Sequence, residues 1–172
     1  DIAGTYGNYD TRSGQFYGTT GLGDKVAVNI AGQVVDQRKG WGRNVPTNHP
    51  TSEMSGWGVR GKLLWEASAD TSVLLSASFD HRKASQGHPG RAIQGTFARN
   101  GYSADAAGLG FYDTMWDYDS SFKTETESLS AKITHDFGAA RLVSISATSR
   151  TVADPAYVDV DSTPTPFFHA IS

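Results

Sequence analysis

Apolar and polar side chains alternate with a period of two along several segments of the chain. The clearest alternation covers residues 25–36, 57–66, 71–80, 128–134 and 143–148. Successive side chains of a β-strand point to opposite faces, so each segment predicts a strand with one apolar face and one polar face. In the last segment the apolar parity is that of Val143, Ile145 and Ala147. Two weaker segments, residues 2–9 and 15–22, bring the number of predicted strands to seven.

The connections between these strands alternate in length. Residues 22–24, 67–70 and 136–139 form tight turns, whereas residues 37–56 and 82–121 are long, and the tail 151–172 has a similar composition. A structureless loop of about 40 residues is uncommon in a compact soluble domain. Outer-membrane barrels have short periplasmic turns, long extracellular loops and strands of about 9–11 residues. The pattern therefore predicts an all-β fold, an antiparallel transmembrane β-barrel segment of about seven strands.

Aromatic residues mark the two ends of the apolar face. Trp57 and Trp65 share a parity eight positions apart, which corresponds to roughly 27 Å along a strand and about 20 Å across a bilayer when the strand is tilted. Tryptophan favours the membrane interface because its ring is apolar and its N–H is polar. We expect Trp57, Trp65 and Phe79 to form lipid-facing girdles. The alternative is a soluble β-sandwich with both tryptophans in its core.

The opposite parity carries polar and charged side chains. A mid-bilayer Arg or Lys costs roughly 2–4 kcal/mol, so this face is expected to line a wet or protein-filled lumen. The predicted lumen-facing residues are Asn29, Gln33, Arg60, Lys62, Glu66, Asp80 and Lys132.

Seven spanning strands leave two unpaired edges, and open edges in hydrocarbon leave backbone polar groups without partners. Bacterial single-chain barrels also have even numbers of strands. We therefore expect residues 1–172 to be a partial barrel domain, without a plug domain and without the closing strands, that belongs to a larger barrel.

Composition narrows the class of protein further. The chain has 19 Gly, 19 aromatic residues (8 Phe, 7 Tyr and 4 Trp) and 19% charged residues, a mixture typical of all-β proteins. Its net charge is −3, with no long run of Lys or Arg, so nucleic acid is not an expected partner. The absence of cysteine excludes disulfides, thiolate metal sites and cysteine nucleophiles.

Four stretches together resemble the first barrel strands of TonB-dependent outer-membrane receptors. They are GTYGNYDTRSGQFYG (4–18), LGDKVAVNIAGQVVDQRKGWGRN (22–44), WGVRGKLLWEASADTSVLLSASFD (57–80) and ARLVSISATSR (140–150). The resemblance implies a protein of the bacterial outer membrane, with a 22-strand type of barrel closed by a plug. It implies active import of a scarce nutrient such as a ferric siderophore, a cobalamin or an oligosaccharide. The implied partners are outer-membrane lipid, the rest of the barrel, the plug domain and the energy-coupling TonB protein.

Two other functions stay open from the residues alone. One is a passive porin-type channel, which the polar lumen face also fits. The other is a soluble all-β binding or adhesion module. Neither alternative requires a cofactor, and the transporter requires none either.

Candidate ligand-binding residues lie in the two long connections. Arg and aromatic side chains suit anionic chelates or sugars. The candidates are Trp41, Arg43 and His49 in the first connection and His88, Arg91, Arg99, Tyr102, Tyr112, Trp116 and Tyr118 in the second. The alternative is that these aromatic rings pack the loops together, with the arginines solvated or paired with Asp105, Asp113, Asp117 and Asp119.

Neither metal binding nor catalysis is expected. His81, His88 and His135 lack the close spacing of zinc or iron ligands. Glu125 and Glu127 form a carboxylate pair with no base or nucleophile identifiable nearby, so the sequence predicts surface charges and no enzyme.

Overall fold

The computed structural model describes residues 1–85, 95, 97, 101, 103, 108–154, 157–159, 163–165 and 169–171. These residues form eleven strands, β1 (Ile2–Gly7), β2 (Thr11–Gly21), β3 (Val26–Gln37), β4 (Gly42–Asn44), β5 (His49–Thr51), β6 (Met54–Glu66), β7 (Thr71–Ser85), β8 (Ser121–Asp136), β9 (Arg141–Asp154), β10 (Tyr157–Asp159) and β11 (His169–Ile171). The described residues include no helix with the length and apolar character needed to cross a membrane.

Seven of the strands form one antiparallel sheet in the order β1-β2-β3-β6-β7-β8-β9. The short hairpins β4–β5 and β10–β11 are separate two-stranded sheets. All seven predicted strands are therefore confirmed, including the two weaker ones, and so is the all-β antiparallel class. The tight turns lie at one end of the sheet. The turn Asn8–Asp10 and the two long connections lie at the other, which we call the loop end.

The strands extend further toward the loop end than the sequence pattern predicts. β7 has 15 residues and β8 has 16, against the expected 9–11. The predicted connection 37–56 also contains the β4–β5 hairpin, and β9 continues to Asp154, within the segment predicted as an irregular tail. Polar cross-strand pairs such as Ser85 with Ser121 continue the ladder beyond the apolar positions, where alternation gives no signal.

The pairing register assigns every residue of the large sheet to one of two sides. Paired residues share a side, as along the row Val34, Trp57, His81 and Glu125. One side, here called the apolar side, carries Val26, Val28, Ile30 and Val34 of β3, Trp57, Val59, Leu63 and Trp65 of β6, Val73, Leu75, Ala77 and Phe79 of β7, and Leu129, Ala131 and Ile133 of β8. The other is called the polar side.

The last strand of the sheet departs from this pattern. Ile145 pairs with Lys132, so the apolar parity of β9 lies on the polar side. Ser144 and Ser146, which pair with Ile133 and Ala131, lie on the apolar side. In this register Val143, Ile145 and Ala147 therefore do not continue the apolar side of β8. Alternation fixes the period of a strand but not which parity faces which side.

The large sheet is a single layer. Among the described residues the only buried apolar side chain is Trp116, which belongs to the second long connection and not to a strand of the sheet. Many large apolar side chains of the apolar side are exposed, among them Ile30, Val34, Trp57, Trp65, Leu75, Leu129 and Ile133. A folded sheet normally buries its apolar face against a second layer. In the described part of this chain, no such layer covers it.

Candidate functional site

The apolar side has aromatic residues near both of its limits on β6. Trp57 is 48% exposed and Trp65 is 47% exposed. The Trp57 ring lies 5.2 Å from that of Phe79 and 6.2 Å from that of His81, measured between centroids. Trp57 and Phe79 therefore form one aromatic cluster toward the loop end, and Trp65 lies near the tight turns. Trp57, Trp65 and Phe79 share a side, as the proposed girdles require.

The limit of the apolar side that lies nearer the loop end runs diagonally across the strands. In the row that joins Val34, Trp57, His81 and Glu125, the first two residues are apolar and the last two are not. On β7 the first apolar residue is Phe79, two positions from His81, and on β8 it is Leu129, four positions from Glu125. A planar boundary crossing strands tilted by about 45° shifts by roughly 1.4 residues per strand, or about three from β6 to β8. From β6 to β8 the limit moves by four positions, close to this value, whereas on β3 and β6 it lies in the same row.

Between that limit and the loop end, the apolar side carries charged and polar side chains. His81 Nδ1 lies 3.3 Å from the Glu125 carboxylate, and Lys123 Nζ lies 3.1 Å from the same carboxylate. Arg150 lies 3.6 Å from Glu127. The expectation that Glu125 has no base nearby is thus wrong, because β7 places His81 directly opposite it. These side chains form a group of charged residues that pair across β7, β8 and β9.

All seven predicted lumen-facing residues lie on the polar side. The register places Asn29, Gln33, Arg60, Lys62, Glu66, Asp80 and Lys132 there. In the part of the chain that the structure describes, Arg60, Lys62 and Lys132 form no salt bridge. Asp80 lies over Gly58 of the neighbouring strand, where a methyl group would collide with its carboxylate. Arg82 also lies on the polar side without a salt bridge, so among the described residues of the large sheet this side presents four cations that no carboxylate pairs.

The two long connections pack against each other at the loop end. Thr114 N donates to Arg43 O, and Val45 N donates to Thr114 O, both at 2.9 Å. Gly42 permits this approach, because a side chain there would overlap the backbone carbonyl of Tyr112. Residues 42–51 and 110–120, which we call the loop cluster, therefore form one packed unit.

Asn44 is the centre of the loop cluster. Its side chain is fully buried, its Oδ1 accepts a hydrogen bond from Trp116 N at 3.0 Å, and its Nδ2 donates to Asp119 Oδ1 at 2.9 Å. Trp116 itself is 1% exposed. The sequence analysis missed Asn44, because a single Asn among glycines and prolines gives no periodic signal.

Asp119 receives three hydrogen bonds from the first connection. Thr47 Oγ1 donates at 2.7 Å and Asn44 Nδ2 at 2.9 Å, and His49 Nδ1 lies 2.5 Å from the second carboxylate oxygen. Partial burial raises the pKa of Asp119, but the hydrogen bonds from His49, Asn44 and Thr47 outweigh it and hold that pKa below its usual value. The carboxylate is therefore charged at neutral pH and fixes the two connections together.

A row of aromatic rings crosses the loop end. Trp41 lies 6.3 Å from Tyr9 and 6.3 Å from Tyr112, and Phe111 lies 4.9 Å from Tyr112. All four side chains are exposed. Tyr9 and Asp10 have positive φ angles of 60° and 51°. This left-handed backbone costs energy for residues other than glycine and is often found at functional sites.

The structure places the predicted ligand-binding residues in different surroundings. Trp41 and Tyr112 are neighbours in the aromatic row, and the side chain of Tyr118 is exposed. Arg43 Nη1 donates to Asn48, and His49 binds Asp119, so both are used within the loop cluster. Trp116 is buried, and its backbone N–H donates to Asn44 within the loop cluster. His88, Arg91, Arg99 and Tyr102 lie outside the described residues.

The described residues contain no group of three or more His, Asp or Glu side chains that could hold a metal ion. Comparison of the chain with protein-family profiles, with curated proteins and with solved structures finds no match.

Proposed function

We propose that the large sheet spans a bacterial outer membrane as part of a TonB-dependent transporter. The observation that carries this proposal is the apolar side, which no described layer covers and which ends along a diagonal line. Uncovered apolar faces of this extent mark a surface that contacts another apolar phase. Lipid is such a phase, and the diagonal limit fits a planar interface crossed by tilted strands.

The different kinds of connection at the two ends of the sheet also support the membrane placement. The turns 22–24, 67–70 and 136–139 lie at one end, and the short turn Asn8–Asp10, the packed loop cluster and the aromatic row lie at the other. In outer-membrane barrels the long loops are extracellular. The loop cluster and the exposed rings of Tyr9, Trp41, Tyr112 and Phe111 would then face the medium and meet the nutrient first.

The polar side and the sheet edges define what else the transporter must contain. Arg60, Lys62 and Lys132 would line the lumen, where a plug domain or water compensates their charges. β1 and β9 are the edges of the sheet, and both would pair with further strands of the barrel, since unpaired backbone groups in hydrocarbon cost several kcal/mol each. Active import of a ferric siderophore, a cobalamin or an oligosaccharide rests on the resemblance of the four stretches to TonB-dependent receptors.

Quenching of tryptophan fluorescence by brominated lipid tests the membrane placement. Residues 1–172 contain four tryptophans, so each can be kept in turn in the full-length protein with every other tryptophan changed to Phe. In bilayers with brominated acyl chains, Trp57 and Trp65 are expected to be quenched, whereas Trp116 and Trp41 are not. Trp116 is the internal control, because it is buried in protein. Equal quenching of all four, or of none, would contradict the proposal.

Uptake measurements test the transport step separately. Cells producing the full-length protein are expected to accumulate labelled cobalamin, a ferric siderophore or a maltooligosaccharide only when the TonB protein is present. Accumulation that is independent of TonB would favour the porin-type channel.

A soluble all-β binding module is the second candidate, because one observation favours it. On β9 the apolar side carries Ser144, Ser146 and Thr148, and Glu127 and Arg150 form an ion pair beside them. Such a surface suits water better than lipid. If the chain is soluble, none of the single-tryptophan variants is quenched by brominated lipid.

A further inference from the structure

The loop cluster combines a buried polar centre with an exposed ion pair. Asn44 and Trp116 are enclosed, whereas the side chains of His49 and Asp119 are 68% and 38% exposed. Solvent protons therefore reach the His49 imidazole without any rearrangement. The pair joins β5 of the first connection to the residue just before the start of β8, 70 positions later.

We propose that His49 and Asp119 form a pH-responsive clasp between the two long connections. When the imidazole is protonated, it donates a charge-assisted hydrogen bond to the carboxylate. When it loses its proton, the ionic attraction disappears and one of the three donors to Asp119 is weakened. The contact between His49 and Asp119 is then weaker. The buried centre around Asn44 stays intact, because Asn44 and Thr47 still donate to the carboxylate.

The clasp forms part of the wall of a crevice. His49 and Asp119 line a cavity of about 520 Å³ together with the ends of β3 and β7 and the start of β6. Its other charged lining groups are Asp36, Arg38, Glu53 and Lys83. Loosening the clasp separates two of these walls and widens the crevice.

The other charges around the pair do not replace the imidazole. Arg38 lies 2.8 Å from Asp36 and is neutralised by it. Lys83 and Glu53 form no salt bridge within the described residues, so neither is paired with His49 or Asp119. On the hairpin itself, Arg43 donates to Asn48. Of the three side chains that contact Asp119, those of His49, Asn44 and Thr47, only the histidine is of a residue type that can gain or lose a proton between about pH 5 and 8.

The direction of the response follows from the charges. The clasp is strongest when Asp119 is ionised and His49 is protonated, and it weakens when the imidazole loses its proton. For an exposed ion pair the expected change in the ratio of closed to open clasp is up to about fivefold. The inference concerns the loop cluster alone, so it holds whether or not the sheet lies in a bilayer.

Distance measurements between spin labels test the clasp. Residues 1–172 contain no cysteine, so Pro46→Cys and Tyr118→Cys, in the full-length protein with any other cysteine changed to Ser, place one label on each connection. We expect the short-distance population to be larger at pH 5.5 than at pH 8. In the His49→Gln background that difference disappears, because glutamine carries no charge at either pH.

His81→Gln is the matched control. His81 also lies beside a carboxylate, that of Glu125, but the two join neighbouring strands and not the two loops. This variant is expected to keep the pH response of the labels. An unchanged distance between pH 5.5 and 8 in the protein with native His49 overturns the proposal. A response that persists in His49→Gln overturns it as well.

Discussion

The backbone N–H of Trp116 donates a 3.0 Å hydrogen bond to the side chain of Asn44, 72 positions earlier in the chain. Both residues are buried, although most of the large sheet is not. The most enclosed part of the described structure is thus the contact between two connections. The sheet below it leaves its apolar side uncovered.

Replacing Asn44 with Ala removes both hydrogen bonds of this buried amide. The Trp116 N–H and one oxygen of Asp119 then lose a partner, and an unsatisfied buried group costs about 1–3 kcal/mol. Hydrogen exchange of the amides of Val45 and Thr114, which carry the inter-loop backbone bonds, measures the effect and is expected to accelerate. Asn29→Ala on the polar side is the control and is expected to leave these amides unchanged.

Gly42→Ala is expected to separate the two connections. The added methyl group would overlap the Tyr112 carbonyl, which belongs to the backbone and cannot rotate away. Limited proteolysis should therefore cleave the loop cluster faster in this variant. Gly61→Ala is the matched control, because the space beside Gly61 is open. Equal cleavage of the two variants would show that the close approach at Gly42 is unimportant for packing.

Gly61→Arg tests what covers the apolar side. Gly61 lies midway between Trp57 and Trp65, and open space surrounds the position of its missing side chain, so steric effects are small. In a bilayer midplane the arginine is expected to lower the free energy of unfolding by about 2–4 kcal/mol. In water a surface substitution changes it by only about 0.5 kcal/mol.

Gly61→Leu fills the same space with an apolar side chain and serves as the control. In lipid it is expected to be neutral or stabilising, so the difference between the two variants isolates the effect of charge. The measurement is the free energy of unfolding of the protein refolded into bilayers. A stable arginine variant in lipid would argue against the membrane placement of this side.

Acid is expected to open the loop cluster through Asp119. The pKa of Asp119 is lowered in the folded protein, so its contribution to stability is complete above the ordinary value of about 3.9 and is lost as the pH falls through the lowered pKa. The same pair of spin labels should therefore separate in strong acid. Asp119→Asn removes this step, whereas Glu53→Gln, on the same crevice, keeps it. If the labels still separate in strong acid in the Asp119→Asn variant, another carboxylate is responsible for the opening.

The strands and their two sides followed from the sequence because both depend on neighbouring residues. A side chain's parity is fixed by its position along one strand, so the residues of β3, β6, β7 and β8 could be sorted without any knowledge of pairing. The side of β9 could not be determined in this way, since it depends on the register with β8.

The candidate site depended on contacts between residues far apart in the chain. Trp41 and Tyr112 could be named as exposed aromatic residues, but the enclosure of Trp116 by Asn44 could not be foreseen. Loop residues follow no period, and Asn44, Gly42 and Asp119 acquire their roles only when two connections about 70 positions apart meet. The sequence by itself therefore determined an all-β chain with one apolar and one polar face. Only the tertiary structure decided which loops meet and which charges pair, because those contacts arise from packing across the chain and not from local alternation.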